Sequence, residues 1–201
     1  MKLRAILVLS LGGCFGVANA NLIQNSDFSL VGPNGSPTTH VGIGAMGSSS
    51  ADFWAVLHNT NGVTTTQLVD TGNLLPAVAP TGATTGILMT STAANNGLIQ
   101  KFSNVNDPAT FDVWVWVLQG QVSIGIGAGA STVTSATSSG INYWQHLTAV
   151  NNDSLSNNVV IYSAVPSVYY ATSANVSTVP EPASIAVLGL GALALVRRRR
   201  K

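Results

Sequence analysis

Hydrophobic and polar residues alternate along most of this chain with a period of two, the spacing of strands with one buried face. Between the two ends, no long segment shows the 3.6-residue period of an amphipathic helix. Clusters of Gly, Pro, Asn and Ser separate the alternating segments and mark turns. The pattern predicts ten strands, which are Leu22–Leu30, Asp52–His58, Thr64–Val69, Thr85–Met89, Leu98–Phe102, Thr110–Leu118, Gln121–Ile126, Tyr143–Val150, Val159–Ser163 and Val168–Val176.

Many short strands between turn clusters predict an all-β domain, an antiparallel β-sandwich or jelly roll, over residues 21–179. The segment is long enough to bury a sizeable core. Val31–Ser50 and Thr71–Thr84 lack the alternation and are predicted to be loops. We find no internal repeat.

The clearest alternation surrounds Gln119-Gly120, which we interpret as the tight turn of a β-hairpin. The pairs predicted on its apolar core face are Val117 with Val122, Val115 with Ile124, and Val113 with Ile126. The pairs predicted on its opposite face are Trp116 with Ser123, Trp114 with Gly125, and Asp112 with Gly127.

Trp114, Trp116 and Asp112 are therefore the candidate ligand-binding residues. Two indoles about 7 Å apart on one strand face, beside small neighbours, suit the apolar faces of sugar rings. Asp112 would accept hydrogen bonds from sugar hydroxyls. In the alternative interpretation the tryptophans only cover glycines of the neighbouring strand, or lie beneath a loop.

The sequence contains little evidence for metal binding or catalysis. The alternation of Asp52–His58 places Trp54 and His58 on one face, and we expect Trp54 in the core. His40, His58 and His146 lack the spacing of metal ligands, so we predict no metal site. Residues 21–179 contain no glutamate, no Gly-x-Ser-x-Gly motif and no phosphate-binding glycine loop. The sequence therefore predicts a protein that is not an enzyme and has no cofactor.

The charges concentrate at the two ends of the chain. Between Asn21 and Val179 the only base is Lys101, against six aspartates, which gives a net charge of −5. Such a domain cannot neutralise phosphates, so nucleic acid is excluded as a partner. Its abundant Ser, Thr, Asn and Gly suit a hydrated extracellular matrix.

Residues 1–20 read as a secretory signal peptide. Two basic residues precede the largely apolar Ala5–Leu11, and Ala18-Asn19-Ala20 is a small-residue cleavage site. We expect signal peptidase to cut after Ala20, which removes Cys14, the only cysteine, and leaves no disulfide. The alternative is lipoprotein cleavage before Cys14.

Residues 180–201 have three parts. Pro180, Glu181 and Pro182 come first, and the prolines keep Glu181 in extended, accessible chain. The uncharged run from Ala183 to Val196 is predicted to be a short transmembrane helix of roughly 21 Å, which snorkelling arginines lengthen. The basic tail, expected to stay cytoplasmic, is Arg197, Arg198, Arg199, Arg200 and Lys201.

These three parts in this order closely resemble the PEP-CTERM sorting signal of Gram-negative bacteria. The resemblance implies that an exosortase, a membrane-embedded protease or transpeptidase, acts at Pro180–Pro182. It also implies an anchor in the inner membrane during sorting. The later location would be the cell surface or the extracellular matrix of an exopolysaccharide-producing cell.

The domain itself resembles galactose-binding-like jelly rolls, the fold of many carbohydrate-binding modules. The resemblance rests on the order of Asn21–Phe28, Trp54, Ile99-Gln100, the Trp-rich Phe111–Ile126, Trp144–Val150 and Tyr169-Tyr170. The acidic pair that such domains often carry in the final strand is replaced here by Ala174-Asn175. A structural calcium ion is left open, with Asp27 and Asp153 as available oxygen ligands.

The sequence thus predicts an exported protein with a structural or adhesive role associated with exopolysaccharide. The alternative is a carbohydrate-binding module that recognises one defined polysaccharide.

Overall fold

The computed structural model describes residues 21–44, 46–105, 108–127, 134–152 and 155–178. These residues form twelve strands and, within those ranges, no helix. The strands are β1 (Thr38–Gly42), β2 (Met46–Ser48), β3 (Ala55–His58), β4 (Gly62–Asp70), β5 (Thr85–Ser91), β6 (Asn96–Val105), β7 (Ala109–Gln119), β8 (Val122–Gly127), β9 (Thr134–Thr137), β10 (Trp144–Asn151), β11 (Ser156–Ser163) and β12 (Ser167–Thr178). Every predicted strand except Leu22–Leu30 overlaps an observed one.

The strands form two antiparallel sheets of six strands each. The front sheet has the order β1-β4-β5-β12-β7-β10, and the back sheet has the order β2-β3-β6-β11-β8-β9. The inward side chains of both sheets form one core, in which Trp54 is 2% exposed and tilts against Phe28 with ring centroids 5.0 Å apart. The predicted β-sandwich is confirmed, and so is the placement of Trp54 in its core.

The hairpin predicted at Gln119-Gly120 is wrong. β7 pairs with β10 and β12 in the front sheet, whereas β8 pairs with β11 and β9 in the back sheet. Of the two turn residues only Gly120 has a positive φ, 78°, whereas a type I′ hairpin turn needs both. A Cβ at Gly120 would lie 2.2 Å from the Pro166 carbonyl oxygen, so glycine is required where the chain crosses between sheets.

The face assignment survives this correction. The predicted core residues Val113, Val115 and Val117 are fully buried, as are Val122, Ile124 and Ile126. They contribute to the core from opposite sheets instead of pairing within one sheet. Alternation along two strands is the same in either case, which is why the pattern alone did not separate them.

The predicted strand Leu22–Leu30 is also wrong, because the segment turns instead of extending. Asn25 and Phe28 have left-handed φ values of 45° and 57°. The backbone N–H of Leu22 donates to Val176 of the front sheet, while the N–H of Gln24 donates to Gln100 Oε1 of the back sheet. The segment therefore ties the two sheets together.

The predicted loop Val31–Ser50 contains β1 and β2, and β9 was also missed. Hydroxyl groups replace apolar side chains on the buried side of β1. Thr38 Oγ1 lies 2.8 Å from Thr66 Oγ1, and the Ser50 N–H donates to Thr66 Oγ1 at 2.9 Å. Buried polar residues that satisfy each other carry no hydrophobic period, so the pattern could not reveal this strand.

Candidate functional site

The outer face of the front sheet carries the candidate ligand-binding residues. Because Val113, Val115 and Val117 point into the core, the residues between them on β7 point outward. Asp112, Trp114 and Trp116 therefore share this outer face, as the sequence predicted. Both indoles are half-buried.

The neighbours of these residues differ from the prediction. The small residues expected beside the tryptophans, Ser123 and Gly125, belong to the back sheet. Instead, β7 is flanked by β10 and β12, which add aromatic and polar side chains. The outward rows across β10, β7 and β12 are Trp144–Trp116–Tyr170, His146–Trp114–Thr172 and Thr148–Asp112–Asn175.

Asp112 is held from both sides. His146 Nε2 donates to its Oδ1 at 3.0 Å, and Asn175 Nδ2 donates to its Oδ2 at 3.1 Å. A register shift in β12, where Ser173 has a φ of 52°, brings Asn175 opposite Asp112. The carboxylate is 25% exposed and keeps lone pairs for a further donor.

Trp114 lies next to this carboxylate and stacks on His146. The two ring centroids are 4.9 Å apart, and the ring planes differ by 18°. His146 is 43% exposed, so the stack reaches the surface. Together Trp114, His146, Asp112 and Asn175 form what we call the polar-aromatic site.

Trp116 has a different environment, because the loop of residues 71–84 folds over its end of the sheet. Leu75 of this loop packs with Val69 and Tyr170 in a small buried cluster, against which Trp116 and Trp144 lie. Trp144 Nε1 donates to the Ala77 carbonyl at 3.3 Å.

Trp116 and Trp144 meet edge to face, with centroids 5.7 Å apart and planes at 78°. Burial raises the pKa of the Tyr170 hydroxyl beside them. Of the two tryptophans, Trp116 therefore fits the packing interpretation, and Trp114 fits the ligand-binding one.

The sequence did not identify His146, Asn175, Trp144 or Tyr170 as neighbours of the candidate residues. One available indication was the alternation of Trp144–Val150, which places Trp144, His146 and Thr148 on one face. This face of β10 runs from an aromatic to a polar residue, and the outward face of β7 does the same from Trp116 to Asp112. No pattern in the sequence indicates the β-bulge that turns Asn175 outward.

The residues predicted for calcium binding and for proteolytic processing do not belong to the polar-aromatic site. Among the residues that the structure describes, no cluster of His, Cys, Asp or Glu could hold a metal ion. Asp27 Oδ1 accepts hydrogen bonds from the N–H and hydroxyl of Ser29. Asp153, the signal peptide with Ala20, and the tail from Pro180 through Arg197–Arg200 lie outside the described residues. Within the described ranges, no helix is long and apolar enough to cross a membrane.

Comparison with known families identifies the tail. Residues 178–201 match the PEP-CTERM protein-sorting motif, which confirms the resemblance seen in the sequence. This motif is a recognition signal for exosortase processing and implies export with membrane-anchored sorting. No curated protein matches the chain.

Solved structures share the fold of the domain. A Stig cyclase from Fischerella sp. TAU aligns with a TM-score of 0.53 at 11% identity, over 80% of this chain and 97% of that one. A candidate sugar-binding protein from Bacteroides thetaiotaomicron aligns with a TM-score of 0.52 at 11% identity, over 80% and 100%. At such low identity these likenesses show the β-sandwich fold alone.

Proposed function

We propose that this exported protein binds polysaccharide through the polar-aromatic site and has a structural or adhesive role associated with exopolysaccharide. The cell surface or the extracellular matrix of a Gram-negative bacterium is the proposed location. The observation that carries the proposal is the half-buried Trp114 indole, stacked at the surface beside a carboxylate held by two donors.

The chemistry of this arrangement suits a sugar. The C–H groups on one face of a pyranose ring are apolar and pack on an indole face. The hydroxyl groups at the ring edge need acceptors, and Asp112 offers one at the side of Trp114. Because His146 and Asn175 already orient the carboxylate, little ordering is left to oppose binding.

The exposed character of the site favours weak, repeated contacts along a polymer. The Trp114 indole and the Asp112 carboxylate can make only a few contacts with each sugar unit. Many copies fixed at one cell surface would still hold a polysaccharide chain firmly, since weak contacts that are linked to one another add avidity. This supports the structural or adhesive role.

A second candidate function is a carbohydrate-binding module that recognises one defined polysaccharide. The fixed orientation of Asp112 favours it, because a held acceptor discriminates between sugars by the position of their hydroxyl groups. A glycan array probed with the purified protein distinguishes the two candidates. Saturable binding to one glycan class supports the module, and weak binding spread over several neutral polymers supports the adhesive role.

The binding proposal is tested by affinity electrophoresis of the purified protein in gels that contain neutral polysaccharide. We expect retention of the wild type and loss of retention for Trp114→Ala. Equal mobility of both proteins with every polymer would refute binding at this site.

The proposed processing is tested separately, by the intact mass of the protein from its native host. We expect a species that begins at Asn21 and has lost the basic tail. A mature protein that retains Arg197–Lys201 would contradict processing by an exosortase and leave the tail as an ordinary membrane anchor.

A further inference from the structure

A cleft opens on the other side of the domain, where residues 22–24 meet the back sheet. It has a volume of about 450 Å³ and is lined by Leu22 and Gln24, by Phe53, and by residues 100–103 of β6. None of these residues belongs to the polar-aromatic site, which lies on the front sheet.

The frame of this cleft is fixed by a buried amide. Gln100 is 4% exposed, and its Oε1 accepts the N–H of Gln24 at 2.8 Å. Its Nε2 donates to the carbonyls of Gln24 at 3.0 Å and Phe53 at 3.2 Å. One side chain thus holds two walls of the cleft, so the site is built before any ligand arrives.

Phe53 presents its ring to solvent in a strained conformation. Its φ is 67°, in the left-handed region that a bulky residue rarely adopts, and the residue is 52% exposed. The Oδ1 of Asp52 accepts its N–H at 3.0 Å and supports this turn. The ring of Phe53 therefore stands at the cleft, where a ligand can contact it.

Lys101 supplies the only positive side chain of residues 21–179. It is exposed in the cleft, and no carboxylate of the described residues lies within 4 Å of its ammonium group. The described residues that line the cleft include no acidic side chain. In a domain with a net charge of −5, the single cation therefore lines the same cleft as an exposed aromatic ring, and none of the described carboxylates pairs with it.

We propose that this cleft binds an anionic sugar unit of a polysaccharide. The ammonium group of Lys101 pairs with the carboxylate or sulfate, the sugar ring lies against Phe53, and the Gln24 amide is available for hydroxyl groups. The inference does not depend on the polar-aromatic site. With both sites occupied, one molecule would bridge two polysaccharide chains.

The test uses the protein purified from its native host, where the basic tail is expected to be removed, in affinity electrophoresis with polygalacturonate, dextran sulfate and neutral dextran. Lys101→Gln should weaken retention by a polyanion about threefold to tenfold, whereas Lys101→Arg should keep it. About 1 M salt should abolish the polyanion retention of the wild type. Whichever polyanion shows these effects identifies carboxylate or sulfate as the recognised group.

Phe53→Asn is the second variant, because asparagine tolerates the left-handed conformation while the ring is removed. It should melt no lower than the wild type and lose retention by the polyanion. Trp114→Ala should leave polyanion retention unchanged, which separates this cleft from the polar-aromatic site. The proposal is overturned if no polyanion retains the wild type, or if Lys101→Gln and Phe53→Asn are retained as the wild type is.

Discussion

Trp114 and Trp116 lie two residues apart on one strand and point to the same side, yet their surroundings differ. Trp116 packs against Trp144 and beside the cluster of Val69, Leu75 and Tyr170. Trp114 stacks on a surface histidine next to an oriented carboxylate. Identical residues on one face are therefore packed at one end of the strand and, at the other end, left open to the ligand proposed above.

The loop of residues 71–84 makes this difference. It leaves the front sheet after β4 and returns at β5, and on the way it covers one end of the outer face. The hydrogen bond between its Ala77 carbonyl and Trp144 shows that the loop extends as far as β10, the edge strand of the front sheet. The loop thus decides which part of an aromatic face remains available to a ligand.

The largest effect is expected from Trp116→Ala. Removing a large aromatic that packs against a buried cluster should cost about 3 kcal/mol of unfolding free energy. Denaturant unfolding measures this, with Trp114→Ala as the matched control on the same strand face. A loss for Trp116→Ala that is no larger than for Trp114→Ala would remove the distinction between the two ends.

A second variant addresses the loop itself. Leu75 is 8% exposed and packs with Val69 and Tyr170, so Leu75→Ala should destabilise the domain by about 2 kcal/mol. Its neighbour Leu74 is 52% exposed, and Leu74→Ala should change stability by about 0.5 kcal/mol or less. Thermal melts of the pair test whether the loop is held by Leu75, and equal shifts would show that it is not.

The sequence predicted the sandwich and the two faces of β7 correctly, because alternation reports directly on which side chains are buried. It did not predict which strands pair. The valines of β7 and the apolar residues of β8 look the same whether they pair in one sheet or face each other across the core. Gln119-Gly120 lacks the Asn, Asp or Gly that two-residue hairpin turns prefer at their first position, so the turn residues were weak support for the hairpin.

The candidate site was predicted in part for the same reason. Asp112 and Trp114 follow from the alternation of one strand, whereas His146 and Asn175 depend on the register of two others. β1 was missed because its buried face consists of mutually bonded hydroxyl groups around Thr38 and Thr66. Long-range pairing of polar groups is a tertiary property, and local periodicity does not contain it.

The third prediction is that Trp114→Ala lowers the free energy of unfolding only slightly but strongly reduces binding to polysaccharide. A half-buried indole stacked on one exposed ring should contribute about 1 kcal/mol to folding. The same change should abolish retention by neutral polysaccharide, while Trp114→Phe should keep part of it. Stability losses near those of Trp116→Ala, with retention intact, would assign both tryptophans to packing.

The smallest effect is expected from Asn175→Ala, which removes one of the two donors that hold Asp112. The lost bond is half-buried and joins an amide to a carboxylate at 3.1 Å, so stability should fall by about 1 kcal/mol or less.

Without that donor Asp112 gains rotational freedom, and retention by neutral polysaccharide should weaken about threefold instead of disappearing. Ser177→Ala is the control, since Ser177 lies on the outer face of the same strand, opposite Thr110. If Asn175→Ala leaves retention unchanged while Trp114→Ala abolishes it, Asp112 takes no part in recognition. The proposed site then reduces to a single aromatic contact, too little to discriminate one sugar from another, and the adhesive role gains over the defined carbohydrate-binding module.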